Sequence, residues 1–211
     1  MSAIEVIRER GDGWIYADET LTYASATTFT VAGDRTVRYS KGTRLKLTQS
    51  TVKYFVVTLS SFSAGVTTVT FTGGTDYTLA NATISDPFYS YATNPQGYPT
   101  YFNYTPTWGG FSTAPALGGG MCRFSVVGGV CFYMAHFNTS GTSNATSLTA
   151  SIPVTNASFG QYPVTRIQDN GTYSFGMCEV TSVLTFFKDG SGTGFTASGS
   201  KNAWWGVSYI I

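Results

Sequence analysis

Short runs in which β-branched and aromatic residues alternate with Thr, Ser and charged positions recur along the whole chain, a period of two that predicts strands with one face buried. In the first half they fall at residues 14–17, 27–31, 36–39, 44–49, 52–60 and 67–72. Turn-forming clusters separate them: AGDR at 32–35, SKG at 40–42, SAG at 63–65 and GGTD at 73–76. Arg44-Leu45-Lys46-Leu47 puts both leucines on one side and both cations on the other, which predicts a small antiparallel barrel or sandwich with one wet side. Residues 4–10 read either as a helical turn or as a first strand, and 77–85 leads out of this set through a short turn.

The pattern resumes at residues 121–137, MCRFSVVGGVCFYMAHF. Gly128-Gly129 suits a two-residue hairpin turn, because glycine tolerates the positive φ values required. That turn sets Val126 against Cys131, Phe124 against Tyr133 and Cys122 against Ala135 on one face. The other face carries Arg123, Ser125, Val127, Val130, Phe132, Met134 and His136, so both faces are substantially apolar. Further strands are expected at 146–154, at 164–167 and 172–177 around the hairpin signal Asp169-Asn170-Gly171, at 180–188, and at 203–211. In the last, Trp205, Val207, Tyr209 and Ile211 share the core face and Trp204 points outward or toward a neighbouring subunit. With no amphipathic helix, the second half is expected to be a jelly-roll-like β-sandwich.

Between the halves, residues 86–111 hold nine aromatics and four of the chain's seven prolines, with Pro115 just beyond. Prolines at this density forbid helix and interrupt ladders, so the stretch is expected to be extended and irregular. Rings at this density are expected to lie against something. The resulting organisation is 1–85 as a small β attachment domain, 86–111 as an extended neck and 112–211 as a β-sandwich head.

Charge sharpens this division. Only 11% of residues are charged, and 91–211 carry just Asp169, Glu179, Asp189, Arg123, Arg166, Lys188 and Lys201. A surface so poor in charge is expected to be covered in large part by identical partners. A formal net charge of +1 gives no footprint for nucleic acid or an anionic membrane. No apolar run is long enough for a membrane-spanning helix, and the first 14 residues are too charged for a secretory signal, so synthesis in a cytoplasm is expected.

Candidate chemistry is sparse. The single histidine, His136, lies inside a strand without a nucleophile motif near it, and is expected to be structural. No carboxylate pair is spaced for glycoside hydrolysis. Phosphate-binding and dinucleotide fingerprints are missing, and the Gly118–Gly120 run precedes a strand. Cys122, Cys131 and Cys178 lack metal-type spacing and read as buried free thiols. The sequons at Asn81, Asn103, Asn138, Asn144, Asn156 and Asn170 are what a Ser/Thr-rich chain produces by chance. No metal, cofactor or catalytic residue is therefore expected. Aromatic side chains remain as contact residues: Phe88, Tyr91, Tyr98, Tyr101, Phe102, Tyr104, Trp108, Phe111 and Trp204 for oligomer or neck packing, and Tyr162 and Tyr173 for a ligand such as a sugar ring.

Four segments, DRTVRYSKGTRLK at 34–46, VKYFVV at 52–57, TTVTFTGGTDYTLAN at 67–81 and ISDPFYSYATNPQGYP at 84–99, together resemble a module of tailed-bacteriophage structural proteins. FNYTPTWGGF, RFSVVGGVCFY, SLTASIPV, DNGTYSF and SGSKNAWWGVSYII are similar to jelly-roll heads that trimerise at fibre tips. The resemblance implies an exposed, non-enzymatic, trimeric component on a virion surface, made in the bacterial cytoplasm. Residues 1–85 would then meet other virion proteins and the head a host receptor or glycan. The alternatives are an architectural capsid or tail decoration protein without a receptor and, third, a cell-wall hydrolase.

Overall fold

The computed structural model describes residues 11–117, 122–136, 141–156 and 161–211. The expected element at 4–10, the Gly118–Gly120 run and the Asn138 sequon lie outside the described residues. All the paired strands are antiparallel, and no helix occurs among the described residues. The chain divides into two compact units between Thr100 and Tyr101.

In the first unit, seven strands make one sheet: β1 (Ile15–Tyr16), β2 (Thr22–Ser25), β3 (Thr28–Ala32), β4 (Arg44–Gln49), β5 (Thr51–Ser63), β6 (Val66–Thr72) and β7 (Ser85–Ser90), in the order β1-β7-β4-β5-β6-β3-β2. The alternation of β4 puts Leu45 and Leu47 into a core with Phe29, Phe55, Val69 and Phe71. Three local expectations are corrected. The wet side expected at Arg44 and Lys46 is covered: Arg44 is buried, its Nε donates to Thr93 O at 3.4 Å, and Tyr98 lies under its guanidinium at 5.4 Å. The first part of the proline-rich stretch thus lies on the sheet of its own unit, and burial holds the Arg44 guanidinium below its ordinary pKa.

The strand expected at 36–39 is instead a single helical turn closed by Tyr39 N donating to Arg35 O at 2.9 Å. Asp34 Oδ1 starts that turn by accepting from Thr36 N and Thr36 Oγ1, as a helix N-cap does. Nor is residue 86 the start of an irregular segment, because β7 is an internal strand. Its Pro87 sits where the β4–β7 register shifts and Asp86 turns to φ 43°, so no ladder bond needs the missing N–H.

The second unit contains β8 (Phe102–Asn103), β9 (Trp108–Gly109), β10 (Phe111–Thr113), β11 (Arg123–Val127), β12 (Val130–His136), β13 (Gly141–Ser143), β14 (Leu148–Ser151), β15 (Val164–Asp169), β16 (Thr172–Val180), β17 (Val183–Phe187) and β18 (Ser200–Ile210). These eleven strands form a curled, half-barrel sheet. β13 and β14 are two pieces of one interrupted run, pairing with β18 and β17 respectively, and those two strands stand at opposite ends of the series β18-β15-β16-β17. On their other side both pieces pair with β9–β10, which is jointed at Gly110. Gly110 has φ 83°, and a Cβ there would fall 2.2 Å from Ser147 O, so the joint requires glycine.

The expected hairpin register is present: Phe124 faces Tyr133 and Val126 faces Cys131. Gly128 and Gly129 both take positive φ, as do Asn170 and Gly171 in the second hairpin. Trp205, Val207, Tyr209 and Ile211 are buried as the alternation predicts. The strand expected at 180–188 is split, with Val180 closing β16 and a break at Thr181-Ser182 before β17.

Candidate functional site

The residues expected to form a neck are shared between the two units. Phe88 packs edge-on against Tyr16 at 5.4 Å with Lys46 Nζ 4.4 Å from its ring. Tyr91 is exposed and Tyr98 donates its hydroxyl to Phe55 O at 3.2 Å. In the second unit, Tyr101 lies under the Arg123 guanidinium at 4.3 Å, and buried Phe102 packs on Phe124. The Tyr104 hydroxyl meets Ser151 Oγ at 2.8 Å and donates to Ile152 O at 3.0 Å. Trp108 packs edge-on with both Phe111 and Trp205 at 6.0 Å.

Trp204, Tyr173 and Tyr162 lie on or beside the outer face of the second sheet. Register puts His136, Trp204, Arg166 and Phe175 in one cross-strand row, and Met134 and Gly206 in the next. The Arg166 guanidinium is held 4.4 Å from both the Tyr173 and Trp204 rings. Tyr162 is 57% exposed and donates its hydroxyl to Glu179 Oε1 at 2.8 Å. Phe175 is 80% exposed and Val164 71%, and Phe132, Met134, Tyr173 and Ile210 are exposed with them. A large aromatic side chain carries on the order of 200 Å² when fully exposed. The exposed apolar side chains of this face together offer roughly 600 Å².

A second surface, in the first unit, includes only Tyr91 of the residues picked from the sequence. The turn at 35–39 and the end of β7 enclose a cleft of about 540 Å³. Its polar wall is Asp34, Arg35 and Arg38, and its aromatic wall is Tyr89 and Tyr91. Beneath it, Glu19 accepts from Arg35 Nε, from Arg38 Nη1 at 2.7 Å and from the Tyr39 hydroxyl at 2.7 Å. Both guanidiniums are thereby oriented from below, and Arg38 also lies 5.2 Å over the Tyr89 ring. Hydrogen bonds from the Thr36 hydroxyl and backbone hold the Asp34 carboxyl below the usual carboxylate range, so the wall carries both charges at neutral pH. Glu19 stands 16 and 19 residues from its arginines, which is why no local pattern reveals the site.

Two buried clusters read as structural. Lys201 is 1% exposed, and its ammonium donates to Asn170 Oδ1, Ser198 O and Gly199 O and pairs with Asp169 at 3.0 Å, tying the Asn170-Gly171 hairpin to the start of β18. All three cysteines are free and buried. Burial pushes Cys122 up to about 11 and Cys131 and Cys178 up to about 12, so the nucleophilic thiolate is scarce. Alkylation by iodoacetamide at pH 8 is accordingly expected to run at least ~100-fold slower in the native protein than in denaturant. Mass spectrometry of the quenched reaction checks this, and a native thiol reacting at the unfolded rate overturns it. Among the described residues no group of three or more His, Cys, Asp and Glu side chains is placed to hold a metal ion.

Comparison with protein-family models, with curated proteins and with solved structures finds no match for this chain.

Proposed function

We propose that the chain is a non-enzymatic structural protein of a tailed-bacteriophage virion, an exposed trimeric component of fibre or spike type that takes part in attachment to the host surface. The first unit is the small barrel- or sandwich-like domain that meets other virion proteins, and the second is a jelly-roll-like head. The observation that carries this reading is the outer face of the second sheet. Its rows of Phe132, Met134, Val164, Phe175 and Ile210 stand on rigid, paired strands in a unit with very few charges. Its roughly 600 Å² approaches the ~800 Å² per partner of a standard stable interface. Gly206, at the centre of the face, adds no side chain to hold an opposing sheet away. The same face on two other copies, meeting about a threefold axis, is the occupant whose chemistry matches, since each copy brings apolar rows and none brings an acid to its centre.

Light scattering on the purified chain should give about three chains per particle. Phe175→Lys, at a position whose side chain is mostly in solvent, should yield a folded monomer, because a charge cannot be buried there unpaired. A monodisperse monomer for the unsubstituted chain overturns the assembly. Labelled protein should also adsorb to host cells; protein found on particles that does not adsorb at micromolar concentration is a decoration protein, the alternative reading.

A further inference from the structure

We propose that the cleft beside the 35–39 turn binds a neutral saccharide, held through a pair of adjacent hydroxyl groups. The inference rests on the attachment reading for the source of the sugar, a glycan on a bacterial surface, and gives the first unit a host contact of its own beside its contacts with other virion proteins.

A vicinal diol offers a hydroxyl hydrogen to an acceptor and an oxygen to a donor a short distance apart. The polar wall supplies both kinds of partner in consecutive residues: the Asp34 carboxylate, exposed at the rim, and the Arg35 guanidinium, whose side chain is 41% exposed. These groups are preorganised. Asp34 is fixed by its two bonds from Thr36, and Arg35 by its bonds to Glu19 and to Asp34 O. A ligand therefore orders little on binding.

Opposite them Tyr91 is 59% exposed, while its ring is set edge-on against buried Tyr89 at 5.4 Å. A ring held by a buried neighbour and more than half exposed is a platform for the C–H face of a sugar. Gly13, Ser90 and Ala92 keep the remaining border small, and about 540 Å³ lies within the range of small-molecule sites. Charge excludes the main competitor. Asp34 at the rim and Glu19 beneath offset Arg35 and Arg38, so the site carries no surplus positive charge to select a phosphate or an acidic sugar.

The test is ligand-observed NMR on the full chain with methyl glycosides of a neutral hexose, a 6-deoxyhexose and an N-acetylhexosamine, with glucuronate and inorganic phosphate as anionic probes. At least one neutral glycoside should bind saturably with a Kd below about 10 mM, which corresponds to only a few hydrogen bonds and one stacked ring. Tyr91→Ala and, separately, Asp34→Asn should each weaken it at least tenfold with an unchanged far-UV spectrum; Asn keeps the acceptor that caps the turn. Saturable binding of glucuronate or phosphate alone, no binding of any neutral glycoside, or binding that survives both substitutions overturns the proposal. Light scattering on the same samples reports the assembly independently, so loss of sugar binding and failure of the virion reading are told apart.

Discussion

Raising the pH to about 11 will unfold the second unit while the first still holds. Five groups drive this. Tyr133 and Tyr209 are pushed far above the ordinary tyrosine range, first by burial and then by the adjacent thiols Cys122 and Cys131. The three thiols are themselves raised to about 11 or 12. In each case the folded pKa lies above the unfolded one, so the stabilisation is complete below the unfolded value and is lost as pH rises toward the folded value. The window therefore opens near pH 9 for the thiols and near pH 10 for the phenols. Each group costs about 1.4 kcal/mol per pH unit once its unfolded form has ionised. Together they remove on the order of 10 kcal/mol by pH 11, comparable to the whole stability of an ordinary domain. In the first unit the groups most strongly shifted this way are Tyr39 and Tyr98, so its loss over the same window is smaller. Tryptophan fluorescence reports the transition, since Trp108, Trp204 and Trp205 all belong to the second unit. A native signal that persists beyond pH 12, or thiols that titrate near pH 9 without unfolding, contradicts it.

Trp205→Ala should cost the second unit about 3–5 kcal/mol, whereas Trp204→Ala should cost under about 1 kcal/mol of fold stability and act mainly on association. Trp205 is 4% exposed, with Phe186 at 5.2 Å, Tyr133 at 5.9 Å and Trp108 at 6.0 Å around it. Truncation therefore opens a cavity lined by rings on three different strands, which cannot collapse together. Trp204, one residue away, is only half-buried and packs over Arg166 on the outer face. Urea unfolding of each variant decides the matter, and a Trp205 variant as stable as the Trp204 variant refutes the argument.

That contrast between neighbouring tryptophans was readable in advance because it depends on period two alone. The same holds for the 123–136 hairpin, where Gly128-Gly129 fixes the register and thus the facing of every side chain. Elsewhere the chain's own signals competed. Thr36 and Val37 have strand-like side chains, yet the Asp34 carboxylate starts a helical turn through Thr36, and a cap outweighs a weak propensity. Strands of two or three residues, such as β8, β9 and β10, are too short to show a period. Arg44 looked solvated because its cover, residues 92–98, comes from a distant part of the chain. The cleft was invisible for the same reason: its two walls and its Glu19 floor come from three separate stretches. The aromatic candidates were visible as residue types, but whether each ring lies in a core, on a covered face or in the open is settled by tertiary packing.

The interrupted β13–β14 run has a consequence for how copies can grow together. It pairs with β18 along Ser200 and Lys201 at one end and with β17 along residues 183–186 at the other, covering those stretches of edge. The outer rim of β9–β10 is broken at Gly110, and β8 is only two residues long. An incoming strand finds only short edges on these strands to template on, which disfavours cross-β growth even though the outer face is sticky. Contact through that face ends once it is covered, which favours small closed assemblies over filaments.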